Sequence, residues 1–581
     1  MPSLLSSKSA EREIRADLSK EIPWDLVTTF STIVRESGTE GEWKAAQYIF
    51  DKLKSWGVDV TMHTPELLIS VPRGAKLEVP GLGSVRAKTP AFSASSAGVE
   101  GELLYIPAKK VEKIEDMFSI GGATADLTGK IVITEGMAMP LRVRDNEQLG
   151  AIAQIYVHPG QPIHEGICTT IWGTPTLSSL ERKPKTPIIC VNHEDGRKII
   201  ELVKAGTLRV RLETKLDEGW VKCPLNSVWI EGTEEPEKFM LVHGHLDSWH
   251  EGIGDNTTGD AALLELARVF TKNKGKLRRS LRICWWPGHS QGRYAGSTWF
   301  ADEFARDLAR NCIAQLDIDS PGCRHATEYT DDVMWMREAD TFCQDVIRDV
   351  TRKESRGKRP IRAGDYSFNQ IGLTSFFMLL SNIPAEKRRQ LGHNYIVGGC
   401  GGNTAWHTEA DTLEVADPKV LYTDLKIYVT AITRVLNANI FPFRQSHAVA
   451  EMLEQLEKYR SEHLSLDDAI AAAQTLKAAL EAFELAALKA RPSKRVAFNE
   501  AIMDLARILV PLNYARGERF DHDPAIHLGI IPRLDRIPLL ATLATDHTRY
   551  RSLQTEMTRE KNRVVDALDS ASRIVDRVLA A

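Results

Sequence analysis

The sequence predicts an α/β fold: a mixed sheet sandwiched by helices, interrupted by a smaller insert and followed by a helical domain. Three observations carry this prediction. From about residue 204 to 441, apolar strand-like runs alternate with helical periodicity, the pattern of a sheet with helices on both faces. A block of short β-like runs over 96–203 interrupts that scheme. Beyond residue 442 only helical periodicity remains,. The expected organisation is a discontinuous domain of residues 1–95 plus 204–441, an insert of 96–203 and a helical domain of 442–581. Length alone implies several domains, because 581 residues exceed what one core supports,.

Taken in order, residues 24–58 read as helices, and W-K-A-A-Q-Y-I-F-D-K-L-K-S-W-G has helical apolar spacing that stops at Gly57,. V-D-V-T-M-H-T-P then alternates like a strand. Within the insert, E-L-L-Y-I, K-I-V-I-T, A-I-A-Q-I-Y-V and T-P-I-I-C-V read as strands, with a short helix ending near Gly150,. L-R-V-R-L-E-T and N-S-V-W-I-E-G follow as strands, then M-L-V-H-G-H-L-D-S-W-H-E-G-I-G-D over 240–255. The run A-A-L-L-E-L-A-R-V-F starts a helix, R-S-L-R-I-C-W-W is a strand, and A-G-S-T-W-F-A-D-E-F-A-R-D-L begins another helix. N-C-I-A-Q-L-D-I-D-S-P-G is a strand ending in acid, Asp317 and then Asp319. A glycine-rich loop, 392–403, leads to W-H-T-E-A-D-T.

The stretch 240–255 organises the chemistry. His245 and Asp247 lie two residues apart near the end of a strand, hence on one side of it, and a glycine-rich loop then delivers Asp255. The carboxyl end of a strand is where α/β sheets hold ligands, and imidazole with carboxylate suits zinc and related divalent ions. A satisfied polar strand end is the plain structural alternative. Composition excludes other classes. A net charge of 74 − 78 = −4 gives no electrostatic reason to expect nucleic acid,. No run approaches the roughly 18 apolar residues of a membrane helix, and the opening residues lack the apolar centre of a signal peptide. Eight scattered cysteines without a Cys-x-x-Cys pair fit reduced thiols in a cytoplasmic protein,.

The order His245, Asp255, Asp317, His407, together with H-x-D-S-W, the strand-ending Q-L-D and W-H-T-E-A-D-T, resembles the co-catalytic zinc exopeptidases, the aminopeptidase, glutamate carboxypeptidase and transferrin receptor branch. The insert, with G-K-I-V-I, resembles a protease-associated domain. The tail, with P-L-N-Y-A-R-G-E-R-F-D-H-D-P, resembles the family's helical dimerisation domain. The resemblance implies one or two divalent ions, zinc, sharing Asp255. His245 and Asp317 would complete one site, His407 would belong to the second, and Asp247 would orient His245.

One segment departs from the family. Where it carries adjacent glutamates, a general base and a metal ligand, this chain reads W-W-P-G-H-S-Q-G-R-Y-A-G-S, with His289 and Ser290 at those positions. Serine is a poor ligand for a divalent ion, so the second metal site loses a carboxylate. An imidazole can still take a proton near neutrality, which leaves His289 as base or as replacement ligand. Trp406, beside a proposed ligand, is the candidate pocket wall. R-A-G-D-Y-S-F, with Arg362 and Tyr366, resembles the family loop that borders the substrate, where Arg362 could hold a carboxylate,. The expected activity is metal-dependent hydrolysis of an amide or peptide-like bond in a small-molecule or peptide-like substrate. The alternatives are a metal-dependent lyase on the same scaffold and a receptor-like homologue without catalysis. The tail of 442–581 is expected to form a homodimer, since a long apolar helical face requires a partner surface. Light scattering at micromolar concentration should give twice the chain mass, and a monomer would reject the assignment.

Overall fold

The computed structural model describes residues 8–580. Its first sheet has seven strands in the order Val60–His63, Leu225–Ile230, Arg279–Trp286, Glu235–His245, Cys312–Asp317, Ser375–Met378, Met334–Trp335. The four strands from Arg279–Trp286 to Ser375–Met378 run parallel, and the edges are antiparallel. The central strand reads F-M-L-V-H-G-H-L over 239–246 and is buried on both faces, as a strand covered by helices must be. Helix Thr258–Lys272 carries the chain to Arg279–Trp286 on one side of that strand. Helices Ala295–Glu303 and Ala305–Asn311 then lead to Cys312–Asp317 on the other side. The winding direction therefore reverses about Glu235–His245, and its carboxyl end is the topological switch point where such sheets open a crevice.

The second sheet also has seven strands: Gly83–Val85, Glu66–Val79, Arg209–Lys222, Ser96–Tyr105, Ile131–Glu135, Ala153–Val157, Ile188–Val191. The last four run parallel. By its hydrogen-bonded ladder this sheet begins at Glu66 and includes strand Arg209–Lys222, so it is wider than the 96–203 stretch legible in the sequence. Strand Glu66–Val79 escapes a pattern reading because it contains Pro72 and Gly74. The ladder shifts register between those two residues and then resumes, as strands do around Pro and Gly.

The carboxyl-terminal helices are Gln445–Lys458, Asp467–Leu488, Pro492–Tyr514 and Thr548–Ala580. Asp467–Leu488 buries Ala469, Ile470, Ala473, Leu476, Leu480, Phe483 and Ala487, a spacing of three and four that keeps one stripe inward. These side chains join Val242 and Leu281 of the first sheet in one continuous core. All eight cysteines are buried and free of disulfides. Among the described residues no helix is long and apolar enough to cross a membrane. Leu480 is fully buried, whereas Leu485 on the same helix is 60% exposed. Leu480→Ala should therefore cost about 2–5 kcal/mol in urea denaturation, and Leu485→Ala less than about 0.5 kcal/mol.

Candidate metal centre

The centre is built on the switch-point strand. His245 is its last residue, and Gly244 before it admits no side chain: a Cβ there would lie 2.4 Å from the Ile318 carbonyl oxygen. Beyond the strand, the buried Arg35 donates to the carbonyls of Leu246 at 3.0 Å, Glu251 at 2.9 Å and Gly252 at 3.1 Å. This fixes the loop that leads to Asp255. Both oxygens of the Asp411 carboxylate accept from backbone there, from Gly254 N at 2.7 Å and Asp255 N at 3.0 Å. Asn256, joined to Asp255 by a cis peptide, donates to Ile318 O at 2.9 Å and accepts from Ser320 N at 3.0 Å. The Asp255 loop is thus tied to the strand end that carries Asp319.

The side chains converge on Asp255. One of its oxygens lies 2.9 Å from His245 Nε2 and the other 3.0 Å from His407 Nε2. The Nδ1 of each histidine faces a carbonyl, Asp247 O at 2.9 Å and Glu165 O at 3.1 Å. That places a proton on each Nδ1 and leaves Nε2 as the nitrogen turned toward Asp255. Asp319 Oδ2 lies 4.0 Å from His245 Nε2. The His289 ring stacks on that of His245 with centroids 3.8 Å apart. Candidate ligand atoms of His245, His289 and Asp319 all fall within 4.8 Å of one another. His289 Nδ1 meets Asp365 Oδ2 at 2.8 Å, and Ser297 Oγ donates to the other Asp365 oxygen at 2.6 Å. His289 Nε2 is the ring nitrogen left over.

These residues fit a divalent cation such as zinc. His245 Nε2 and Asp255 Oδ1 are buried and have no hydrogen-bond partner although they lie 2.9 Å apart, as expected of two donors aimed at a shared third point. The donor set is imidazole nitrogen and carboxylate oxygen, the set zinc takes. Electrostatics agree. Burial, then the Asp255 charge, push the Asp319 carboxyl up to about 7. Burial also pushes Asp411 up to about 7 against the pull of its backbone donors. Burial works against ionised Asp255 too, but the two histidines outweigh it and hold that carboxyl well below its usual range.

Four expectations from the sequence need correction. Asp317 is not among the converging groups: its Oδ1 lies 3.4 Å from His243 Nδ1, and its Oδ2 accepts from Asp365 N at 3.2 Å. The register pairs His243 with Asp317, so His245, two residues nearer the carboxyl edge, is level with Asp319. One pleat repeat, about 6.6 Å, separates the two acids. Asp247 orients His245 through its carbonyl. Its carboxylate instead accepts from His289 N at 2.9 Å, Ser290 N at 2.7 Å and Ser37 Oγ at 3.0 Å. Arg362 does not face the cavity; it donates to Tyr366 O at 3.1 Å and Asp523 O at 2.7 Å and lies over the Trp172 ring. Tyr366 is buried away from the cavity wall. Trp406 does line the cavity, stacked on His407 at 3.6 Å.

Asp365, Asp411, Glu165 and Arg293 were not singled out from the sequence. Asp365 and Asp411 lie inside R-A-G-D-Y-S-F and W-H-T-E-A-D-T, so the motif segments were the available signal. Glu165 comes from the second sheet's side. Its backbone N–H donates to His407 O at 2.7 Å, and its carboxylate is paired with Lys88 at 2.8 Å and His250 at 3.1 Å. Metal content of protein purified without added metal should be lost in Asp255→Ala and Asp319→Asn. Asp317→Asn should retain it by elemental analysis; the reverse pattern would restore Asp317 as ligand.

Residues 228–428 match the model described as Peptidase family M28. A probable glutamate carboxypeptidase of Zea mays is 34% identical over 93 residues, 16% of this chain and 13% of that protein. Carboxypeptidase Q of Bos taurus is 25% identical over 245 residues, 41% of this chain and 47% of that one. The chain thus spans a minor part of the curated relatives it matches. Among solved structures, a zinc aminopeptidase from Bacillus subtilis superposes with a TM-score of 0.53 at 18% identity, covering 71% of this chain and 94% of that one, which is a likeness of fold. The strand, loops and helices that assemble the centre lie within residues 228–428, the stretch that matches the model of peptidase family M28.

Proposed function

We propose that the chain is a zinc-dependent hydrolase of an amide or peptide-like bond in which the His289–Asp365 pair replaces the usual carboxylate base. The observation that carries this reading is that pair: Nδ1 engaged by Asp365 at 2.8 Å, with Nε2 left toward a cavity that His289, Asp255, Asp319 and His407 all line. Zinc, when bound, supplies Lewis acidity toward the scissile carbonyl oxygen. His289 Nε2 accepts a proton from the attacking water, and Asp365 faces the imidazolium that forms. As the C–N bond breaks, the same nitrogen returns that proton to the leaving amine, so the products are a carboxylic acid and an amine. Asp365 is itself fixed by Ser297 Oγ and by its backbone bond to Asp317. The Asp247 carboxylate holds the His289 and Ser290 amides. Ser290 donates its backbone to that acid and offers no carboxylate, which supports a centre with one fully dressed metal position.

Amine release from a panel of N-acyl amino acids and dipeptides tests the reading, with product mass separating hydrolysis from elimination. His289→Ala should lower kcat about 10²–10⁴-fold and keep the metal. Asp365→Asn should lower it about 10–100-fold. Full activity in His289→Ala would reject the assignment, and loss of metal in that variant would make His289 a ligand instead.

A further inference from the structure

The cavity above the centre lies between the two sheets, and Arg293 forms part of its wall. Arg293 is 4% exposed, yet its Nε and Nη2 have no hydrogen-bond partner, and no salt bridge among the described residues includes it. Its guanidinium lies over the Tyr294 ring at 4.8 Å. Burial chiefly lowers the pKa of the buried Arg362 nearby, and the Arg293 charge adds to that lowering. A guanidinium cannot shed its proton, and an unpaired buried charge is strongly unfavourable. The backbone is spent on the same placement: Arg293 and Tyr294 both adopt left-handed φ, 51° and 71°, a costly conformation for side-chain-bearing residues. Gly173 N pins the Arg293 carbonyl at 2.6 Å.

A second unpartnered group lines the cavity from the opposite sheet. His158 Nδ1 accepts from His164 N at 2.9 Å, and burial, then His164, hold the ring neutral. Its proton therefore sits on Nε2, which is buried and without a partner. Glu165, an acid on that wall, is already paired with Lys88 and His250. Phe118, Met137 and Met139 add apolar lining beside them, and Met378 adds more from the first sheet.

We propose that this cavity holds its substrate by a carboxylate, gripped by the Arg293 guanidinium with the His158 ring N–H as a further donor. Planar bidentate recognition matches guanidinium to carboxylate. One cation and one neutral donor balance a single charge, so a carboxylate suits the site better than a phosphate dianion. The apolar walls fit a compact hydrocarbon body. The inference rests on the hydrolase reading for the word substrate, and it narrows the class to small amides that bear a free carboxylate.

Calorimetric titration of the chelated full chain with benzoate and with benzamide, its neutral counterpart of like shape, tests the site apart from turnover and from any cation. Benzoate should bind more than about tenfold tighter. Arg293→Met should erase that preference and melt no lower than wild type, because it removes an unpaired buried charge. Arg293→Lys should keep part of the preference. Equal binding of the two probes, binding of neither at millimolar concentration, or an undiminished preference in Arg293→Met would overturn the proposal. Absence of amide hydrolysis with the benzoate preference intact would reject the hydrolase reading and leave the carboxylate site standing.

Discussion

Asp255 is the group on which the centre depends. Its two oxygens stand 2.9 Å and 3.0 Å from the Nε2 atoms of His245 and His407, residues 162 positions apart in the chain. Burying a carboxylate costs free energy unless charge or donors meet it, and here both histidines face it while their far nitrogens are fixed by carbonyls. The surrounding structure serves that arrangement. Asp411 takes the two amides that set the Asp255 backbone, and Arg35 holds the loop before it through three carbonyls.

Beneath this layer lies a second one of similar composition. His243 faces Asp317 at 3.4 Å and Gln315 at 2.8 Å, and Asp317 passes the connection to Asp365 through the backbone amide. Asp365 then meets His289. The lower layer supports the upper one because parallel strands in register repeat their side chains every two residues. An acid one repeat too deep becomes a support rather than a ligand.

The second sheet does more than decorate the first. Glu165 donates its backbone N–H to the His407 carbonyl, and its own carbonyl meets the His407 ring at Nδ1. His164 meets the Trp406 carbonyl at 2.6 Å and the Tyr395 hydroxyl at 3.0 Å. The cavity wall is therefore shared between two sheets that are remote in the ladder, and its character is set by both. The first sheet's side contributes the ionisable cluster, Arg293 and the apolar Met378; the second sheet's side contributes His158, Glu165 and the apolar Met137 and Met139.

The sequence by itself determined the α/β alternation, the helical tail, and the identity of His245, Asp255, His289, His407 and Trp406 as residues of one region. Apolar periodicity and motif order are local properties, legible without coordinates. Tertiary structure decided which of Asp317 and Asp319 reaches the centre, because that choice belongs to the register between strands Glu235–His245 and Cys312–Asp317, which no single strand encodes. It likewise decided that Asp247 works through its carbonyl on His245, that Asp365 partners His289, and that Arg293 rather than Arg362 lines the cavity. Whether a charged side chain meets a carbonyl, a carboxylate or open space depends on segments distant in sequence, and only packing brings those together.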